Sequence, residues 1–175
     1  ATCDGFFFKD QDIVVVGGGD SAMEEATFLT RFARSVTVVH RRDELRASAV
    51  MAKRAQEDPK ISFAWNSRVV ELHGEDSLTG VTLEDTVTGG RRHLEATGLF
   101  VAIGQVPRSE LVADALELDE AGYIKVEIPS QRTRIAGVFA CGDVADPTYQ
   151  QAITAAGSGC RAALDAEHYL TTQQA

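Results

Sequence analysis

Three consecutive glycines, Gly17 to Gly19, separate a β-branched run from a helical stretch. The run Ile13–Val16 has the composition of a buried parallel strand. Small and apolar side chains then recur at near-helical spacing, and Ser21 and Glu24 predict a capping box at the start of that helix. A strand that ends in a glycine turn and leads into a helix predicts a βαβ unit, the element from which doubly wound α/β folds are built.

The rest of the chain divides into two stretches. In the first, the patterns predict two more parallel strands with a helix between them, an antiparallel β-meander and a return to a buried strand: 36–39, 46–56, 61–64, 68–73, 79–85, 91–95 and 99–103. In the second, they predict strands at 123–126 and 137–140 and a long helix over about 150–170. We therefore expect two domains, 1–112 and 113–175.

The glycine turn also fits the dinucleotide-binding pattern G-x-G-x-x-A over Gly17–Ala22. Its first glycine permits the tight turn, and its second lets a pyrophosphate approach the backbone. The free N–H groups at the start of the following helix attract negative charge. The alternative is a glycine turn that binds no ligand.

Basic residues follow the second strand, where units that bind NAD carry an acidic residue for the ribose hydroxyls. This chain has His40–Arg42 there, with Arg46 one turn further on. A carboxylate would repel a 2′-phosphate, whereas guanidinium groups pair with it. The pattern predicts NADP(H) rather than NAD(H), although the acidic residues at 43–44 could neutralise some of this charge.

A second glycine-containing turn, Gly142-Asp143, follows the predicted strand at 137–140 and precedes the long helix. A carboxylate beside a glycine suits a hydrogen bond to a ligand hydroxyl, and a solvent-facing turn is equally consistent with the pattern.

Charge and cysteine content exclude several classes of function. The formal net charge of −9 argues against nucleic-acid binding, which needs a basic surface. No run approaches the roughly 18 apolar residues of a membrane helix, and the first residues lack a secretory signal, so we expect a cytoplasmic protein. Cys3, Cys141 and Cys160 do not form a disulfide framework, and no residues have metal-ligand spacing. We expect Cys141 and Cys160 to be buried.

Together these motifs resemble those of the low-molecular-weight thioredoxin reductases. The resemblance runs nearly from end to end and is carried by 1–7, 17–25, 40–42 with 46–47, 99–104, 137–144 and 151–166. It implies an α/β fold: a Rossmann-like, doubly wound NADPH-binding domain with an antiparallel β-meander, followed by the C-terminal part of a related FAD-binding domain.

The resemblance also implies a homodimeric, NADPH-dependent flavoprotein that passes electrons through FAD to a Cys-x-x-Cys disulfide and on to thioredoxin. Cys3 would be the second cysteine of that redox-active disulfide, and Asp4 the acid that protonates the departing thiolate. The implied cofactor-binding residues are Gly17, Gly19, Asp20, Ser21, His40, Arg41, Arg42, Arg46, Ile103 and Gly104 for NADPH, and Gly142, Asp143, Gln151, Ala152 and Ile153 for FAD.

The chain departs from the family pattern in three respects. The first cysteine of the pair would precede Ala1, and the family's N-terminal glycine-rich FAD-binding segment is missing, so we expect a fragment that is inactive alone. Gln150 and Cys141 stand where many members carry arginine and alanine. Two alternatives remain open: the flavoprotein subunit of an alkyl hydroperoxide reductase, and a non-catalytic NADPH-binding module.

Overall fold

A computed structural model of the chain describes residues 4–173. They form two compact units that divide between Gly104 and Gln105, whereas the sequence predicts a domain boundary after residue 112. The assignment of the two stretches to an NADPH-binding and an FAD-binding domain stays a prediction. Cys3 lies outside the described residues.

The first unit combines a parallel sheet with a small antiparallel sheet. In chain order its elements are β1 Asp12–Val16, α1 Asp20–Leu29, β2 Ser35–Val39, α2 Ala49–Gln56, β3 Ile61–Ala64, β4 Ser67–His73, β5 Gly80–Asp85, β6 Arg91–Glu95 and β7 Gly98–Val101. The parallel strands lie in the order β3-β2-β1-β7, and β4-β5-β6 form the antiparallel meander. The predicted α/β fold class is confirmed.

Both faces of the parallel sheet are buried, which explains why its strands are almost continuously apolar. On one face Ile13 and Val15 pack against Met23 and other residues of α1. On the other face Val14 packs in a cluster with Val81 of the meander. The glycine turn therefore follows a strand, β1, that is buried on both faces of the sheet.

Two predicted helix starts are wrong. Gly19, not Ser21, is the N-cap of α1, and no side chain caps that end, so the predicted capping box does not form. The second helix begins at Ala49 rather than at residue 46, because the backbone before it is held by bonds to the α1 region. The Asp20 carboxylate accepts hydrogen bonds from the amide and hydroxyl of Ser48, at 2.7 and 2.9 Å.

The second unit contains the long helix α3, Ala152–Gln173, and little regular β-structure. The predicted strands at 123–126 and 137–140 are wrong: only the isolated bridges Leu118↔Ile124 and Arg132↔Phe139 form there. These segments pair across short reversals, and no neighbouring strand extends either bridge into a ladder. Within residues 4–173, no helix is both long and apolar enough to cross a membrane.

The prediction that Cys141 and Cys160 are both buried is wrong. Cys160 is exposed and Cys141 is half-buried, and neither forms a disulfide in the part of the chain that is described. Sequence periodicity placed Cys160 on an apolar helix face, but no described residue of α3 is buried in this unit.

Candidate functional site

A cleft of about 520 Å³ lies where β1, β2 and β7 end. In doubly wound folds, ligands bind at this carboxyl edge of the parallel sheet. The predicted residues that line the cleft are Gly17, Gly19, Ser21, His40, Arg41, Arg46, Ile103 and Gly104. Of the predicted NADPH residues, Asp20 and Arg42 are not among those that line it.

Position 17 in the turn requires a glycine. Its φ is 153°, and a Cβ there would lie 2.3 Å from the Ala102 carbonyl oxygen and 2.7 Å from the Ala22 Cβ. Its amide donates to the Val39 carbonyl at 3.1 Å, which ties the end of β1 to β2. Only glycine lets the strand, the helix and the residues after β7 approach one another this closely.

The start of α1 is open toward the cleft. A Cβ built on Gly19 meets nothing within 4 Å, and no side chain caps this helix end. The N–H groups of a helix's first turn have no partner within the helix, and the helix dipole adds partial positive charge there. The turn therefore presents the backbone donors and the space that a phosphate group needs.

Asp20 does not line the cleft; its side chain instead connects two helices. Its carboxylate accepts two hydrogen bonds from Ser48, the N-cap of α2, and so connects the first turn of α1 to the start of the next helix. These two hydrogen bonds fix the end of the loop between β2 and α2, the loop that carries the predicted arginines.

The three arginines of that loop are exposed, and none takes part in an ion pair with any described residue. The neighbouring acidic residues therefore do not neutralise them. The loop backbone is anchored instead. The Arg42 carbonyl accepts from the Asn66 amide at 3.1 Å, and the Arg46 amide donates to the Gly18 carbonyl at 2.8 Å. A fixed backbone thus presents three unpaired guanidinium groups, two of which, those of Arg41 and Arg46, line the cleft with the glycine turn.

His40 directly follows β2 and is only 6% exposed. Its Nε2 is buried without a hydrogen-bond partner. Burial lowers the pKa of His40, and the positive charges of the nearby arginines lower it further, against a hydrogen bond with the Glu44 backbone that raises it. Burial and the positive charges both favour the neutral imidazole over the charged one.

Among the lining residues that the sequence did not predict, Ser67, Arg68 and Val69 come from a part of the chain with no binding motif. They begin the meander, and no local motif marks them. The Arg68 guanidinium pairs with Glu84, and the hydrogen bonds from Arg68 and Arg91 lower the pKa of that carboxyl. Arg68 is thus already neutralised, unlike the arginines after β2.

The predicted FAD residues in the second unit do not share one cavity. Gly142, with φ 74°, lines a cleft with Ser158, whose hydroxyl accepts from the Gly142 amide at 2.9 Å. Asp143 lines a different cleft, and Ile153 is 80% exposed at the start of α3. Gln151 and Ala152 lie beside Ile153 and line neither cleft.

The loop before α3 is nonetheless well ordered by hydrogen bonds. Asp146 accepts from the amides of Thr148, Tyr149 and Gln150, and these bonds lower the pKa of its carboxyl. The Gln150 amide side chain donates to the Tyr123 hydroxyl at 2.7 Å. Gln150, one of the departures from the family pattern, therefore has a structural partner of its own.

Asp4, the predicted acid, is exposed, and its carbonyl accepts from the Phe7 amide at 3.0 Å at the start of a short 3-10 helix, Gly5–Phe8. No group of histidine, cysteine or acidic side chains among residues 4–173 has the geometry of a metal site.

Comparison with known proteins gives one consistent result. The family described as "Pyridine nucleotide-disulphide oxidoreductase" matches residues 1–159. The chain is 71% identical over 170 residues to "Thioredoxin reductase" of Streptomyces clavuligerus, covering 97% of this chain and 53% of that protein. It is 62% identical over 173 residues to the protein of the same name from Mycolicibacterium smegmatis, covering 99% and 56%.

Among solved structures, the thioredoxin reductase from Streptococcus pyogenes MGAS5005 superposes with a TM-score of 0.87 at 44% identity. The match covers 97% of this chain and 55% of that one. The chain therefore spans about half the length of the curated relatives it matches.

Proposed function

The chain belongs to the pyridine nucleotide-disulphide oxidoreductase family, and we propose that its first unit binds NADPH for a thioredoxin-disulfide reductase. One observation carries the proposal: an open glycine turn and two unpaired arginines, Arg41 and Arg46, line the same cleft at the carboxyl edge of the parallel sheet. The names of its relatives support the choice of reaction.

The pyrophosphate of NADPH would lie on the glycine turn. Gly17 permits the tight turn at the end of β1, Gly19 leaves open space beside the backbone, and the uncapped first turn of α1 offers N–H donors near Ser21. The adenosine 2′-phosphate would pair with Arg41, Arg42 and Arg46. Charge-assisted hydrogen bonds of this kind contribute about 1.5–3 kcal/mol each.

NADPH, when bound, supplies a hydride. The chain's own residues bind and orient it: the turn fixes the pyrophosphate, the arginines fix the adenosine end, and Ile103 and Gly104 line the cleft after β7. Holding a reactant in one geometry lowers the entropic part of the barrier, so this contribution is one of positioning.

For the longer protein we propose FAD as the second cofactor, with contacts from Gly142, Asp143 and the start of α3. Family membership supports this part. The described positions lie in separate clefts and do not by themselves form an FAD site, so no chemical step is assigned to them. The proposal also includes a homodimer located in the cytoplasm.

Cys3 and Asp4 would act in the final exchange with thioredoxin. A thiolate attacks a disulfide, and a nearby acid can protonate the thiolate that leaves. In the full-length protein we expect Cys3→Ser to abolish thioredoxin reduction while leaving flavin reduction by NADPH intact. Wild-type turnover by the Cys3→Ser protein would exclude Cys3 from the exchange.

A binding titration tests the NADPH proposal on the chain as it stands. Trp65 is the single tryptophan, and its ring lies 6.4 Å from that of His40 at the cleft. Its fluorescence should therefore report on cofactor binding. We expect NADPH to bind at least about tenfold more tightly than NADH, a difference of about 1.4 kcal/mol. Equal affinities would contradict the 2′-phosphate assignment, and no binding would overturn the proposed function.

A further inference from the structure

The His40 ring packs directly against the backbone of Gly18. A Cβ built on Gly18 would lie 2.2 Å from His40 Cε1 and 2.3 Å from Nδ1. The φ of Gly18 is outside the left-handed region, so its backbone conformation does not itself demand glycine. What excludes a side chain at Gly18 is the imidazole.

Gly18 is also held through its carbonyl oxygen. That oxygen accepts from the amides of Arg46 and Ala47, at 2.8 and 3.1 Å. The residue therefore lies between the ring at the end of β2 and the loop that carries the predicted 2′-phosphate ligands. A shift of Gly18 would move the glycine turn relative to both.

The ring itself is rigidly placed. The His40 amide donates to the Ala64 carbonyl at 3.0 Å, its carbonyl accepts from the Ser67 amide at 2.9 Å, and Trp65 contacts the ring edge-on. Backbone bonds on both sides thus fix the Cα, and the buried surroundings fix the side chain.

The surroundings of the ring favour packing over phosphate binding. His40 is only 6% exposed, and its Nε2 is buried with no hydrogen-bond partner among the described residues. The arginines of the neighbouring loop are instead exposed and take part in no ion pair with a described residue. The accessible donors for a phosphate are therefore the guanidinium groups, whereas the imidazole contacts the glycine turn.

We propose that His40 is a positioning residue that fixes Gly18, and through it the pyrophosphate-binding turn, and is not a ligand of the 2′-phosphate. This inference rests on the proposed function, because it concerns the same cofactor cleft. A positioning role and a 2′-phosphate-binding role for His40 predict different effects on the two cofactors. The pyrophosphate is common to NADPH and NADH, so loss of His40 should weaken both cofactors by the same factor.

The test is a double-mutant cycle with His40→Ala and Gly18→Ala, with both cofactors titrated into each protein. Each single variant should lose about tenfold in affinity for NADPH and for NADH alike, since small misplacements of binding groups are costly. In the double variant the new methyl group no longer meets the ring, so the losses should not add: about tenfold, not about a hundredfold. A His40→Ala loss confined to NADPH would overturn the proposal and make His40 a phosphate ligand.

Thermal unfolding without cofactor separates this inference from the proposed function. The Gly18→Ala shift in Tm should be markedly smaller in the His40→Ala background than in the wild-type chain, because the steric conflict is gone. Equal shifts in both backgrounds would refute the contact, whether or not NADPH binds. His40→Leu, which keeps an apolar side chain of similar size against Gly18, should retain most of the affinity for both cofactors. If it instead loses NADPH affinity alone, the ring nitrogens contact the phosphate and the proposal fails.

Discussion

The two units of the chain use their helices in opposite ways. In the first, the 10-residue helix α1 buries Ala22, Met23, Ala26 and Leu29 against the parallel sheet. In the second, the 22-residue helix α3 has no buried residue among those described. Helices in proteins gain most of their stability from packing an apolar face, not from length. The first unit therefore contains the core that holds its cleft in place, whereas α3 leaves large apolar side chains such as Ile153, Leu164 and Leu170 exposed.

The largest expected effect comes from shortening a buried side chain of α1. Leu29 is fully buried in the main core cluster, and Leu29→Ala would leave a cavity beside the sheet. Substitutions of this type cost about 2–5 kcal/mol in free energy of unfolding. Chemical denaturation followed by Trp65 fluorescence would measure the loss. A change below about 0.5 kcal/mol, as at surface positions, would contradict the contrast between the units.

The second prediction concerns the arginines that the first unit holds beside its cleft. Replacing Arg41 and Arg42 together with glutamine should weaken NADPH binding at least about tenfold and leave NADH binding nearly unchanged, since only NADPH carries the 2′-phosphate. The matched control is Lys53→Gln with Arg54→Gln, which removes the same charge from α2, outside the cleft lining. Equal losses for both cofactors would contradict the assignment.

The strand–turn–helix motif could be predicted from sequence because its determinants are local. The apolar run, the glycines and the helical spacing are all contained within residues 12–29. The late start of α2 could not, because it depends on bonds from Ser48 to Asp20 and from Arg46 to Gly18. The role of Arg68 at the cleft likewise depends on strand register, which single-strand patterns do not specify.

The second unit was predicted less well for the same reason. A short segment such as 123–126 becomes a strand only if a neighbouring strand pairs with it, and here only single bridges form. The helical periodicity around Cys160 correctly predicted a helix but not burial, which needs a partner surface. Local pattern thus predicted the helix α3, whereas strand pairing and burial in this unit depend on long-range packing.

A smaller effect is expected for an ion pair at the edge of the first unit. Hydrogen bonds from Arg34 and Ser35 lower the pKa of Asp12 to about 2. Because the folded-state pKa is below the unfolded value of about 3.9, the pair stabilises the protein above that pH and loses its effect as pH falls toward about 2. The Asp12 side chain is 37% exposed, so solvent screening limits the contribution to about 1 kcal/mol or less.

Asp12→Asn should therefore lower the free energy of unfolding slightly at pH 7. Near pH 2 the variant and the unmodified chain should have nearly the same free energy of unfolding, because protonation of the Asp12 carboxylate has by then removed most of its contribution to stability. Asp76→Asn, in an exposed turn of the same unit, is the control and should change stability at neither pH. A loss for Asp12→Asn that is independent of pH would show that the carboxylate charge is not responsible.

The smallest effect is expected at Leu164 on α3, the counterpart of Leu29 in the comparison of the two helices. Its side chain is 60% exposed, and α3 packs no described residue into the core of its unit. Leu164→Ala should change the free energy of unfolding by about 0.5 kcal/mol or less, because no cavity forms and alanine is the better helix former. The rate of thiol labelling gives an independent check on the exposure of α3. The exposed thiol of Cys160 should react faster than the half-buried thiol of Cys141. A loss of about 2 kcal/mol or more at Leu164, of the size that cavity formation causes, would mean that this face of α3 is covered when the protein is in solution. The two helices would then stabilise their units in the same way, and the contrast between them would have to be withdrawn.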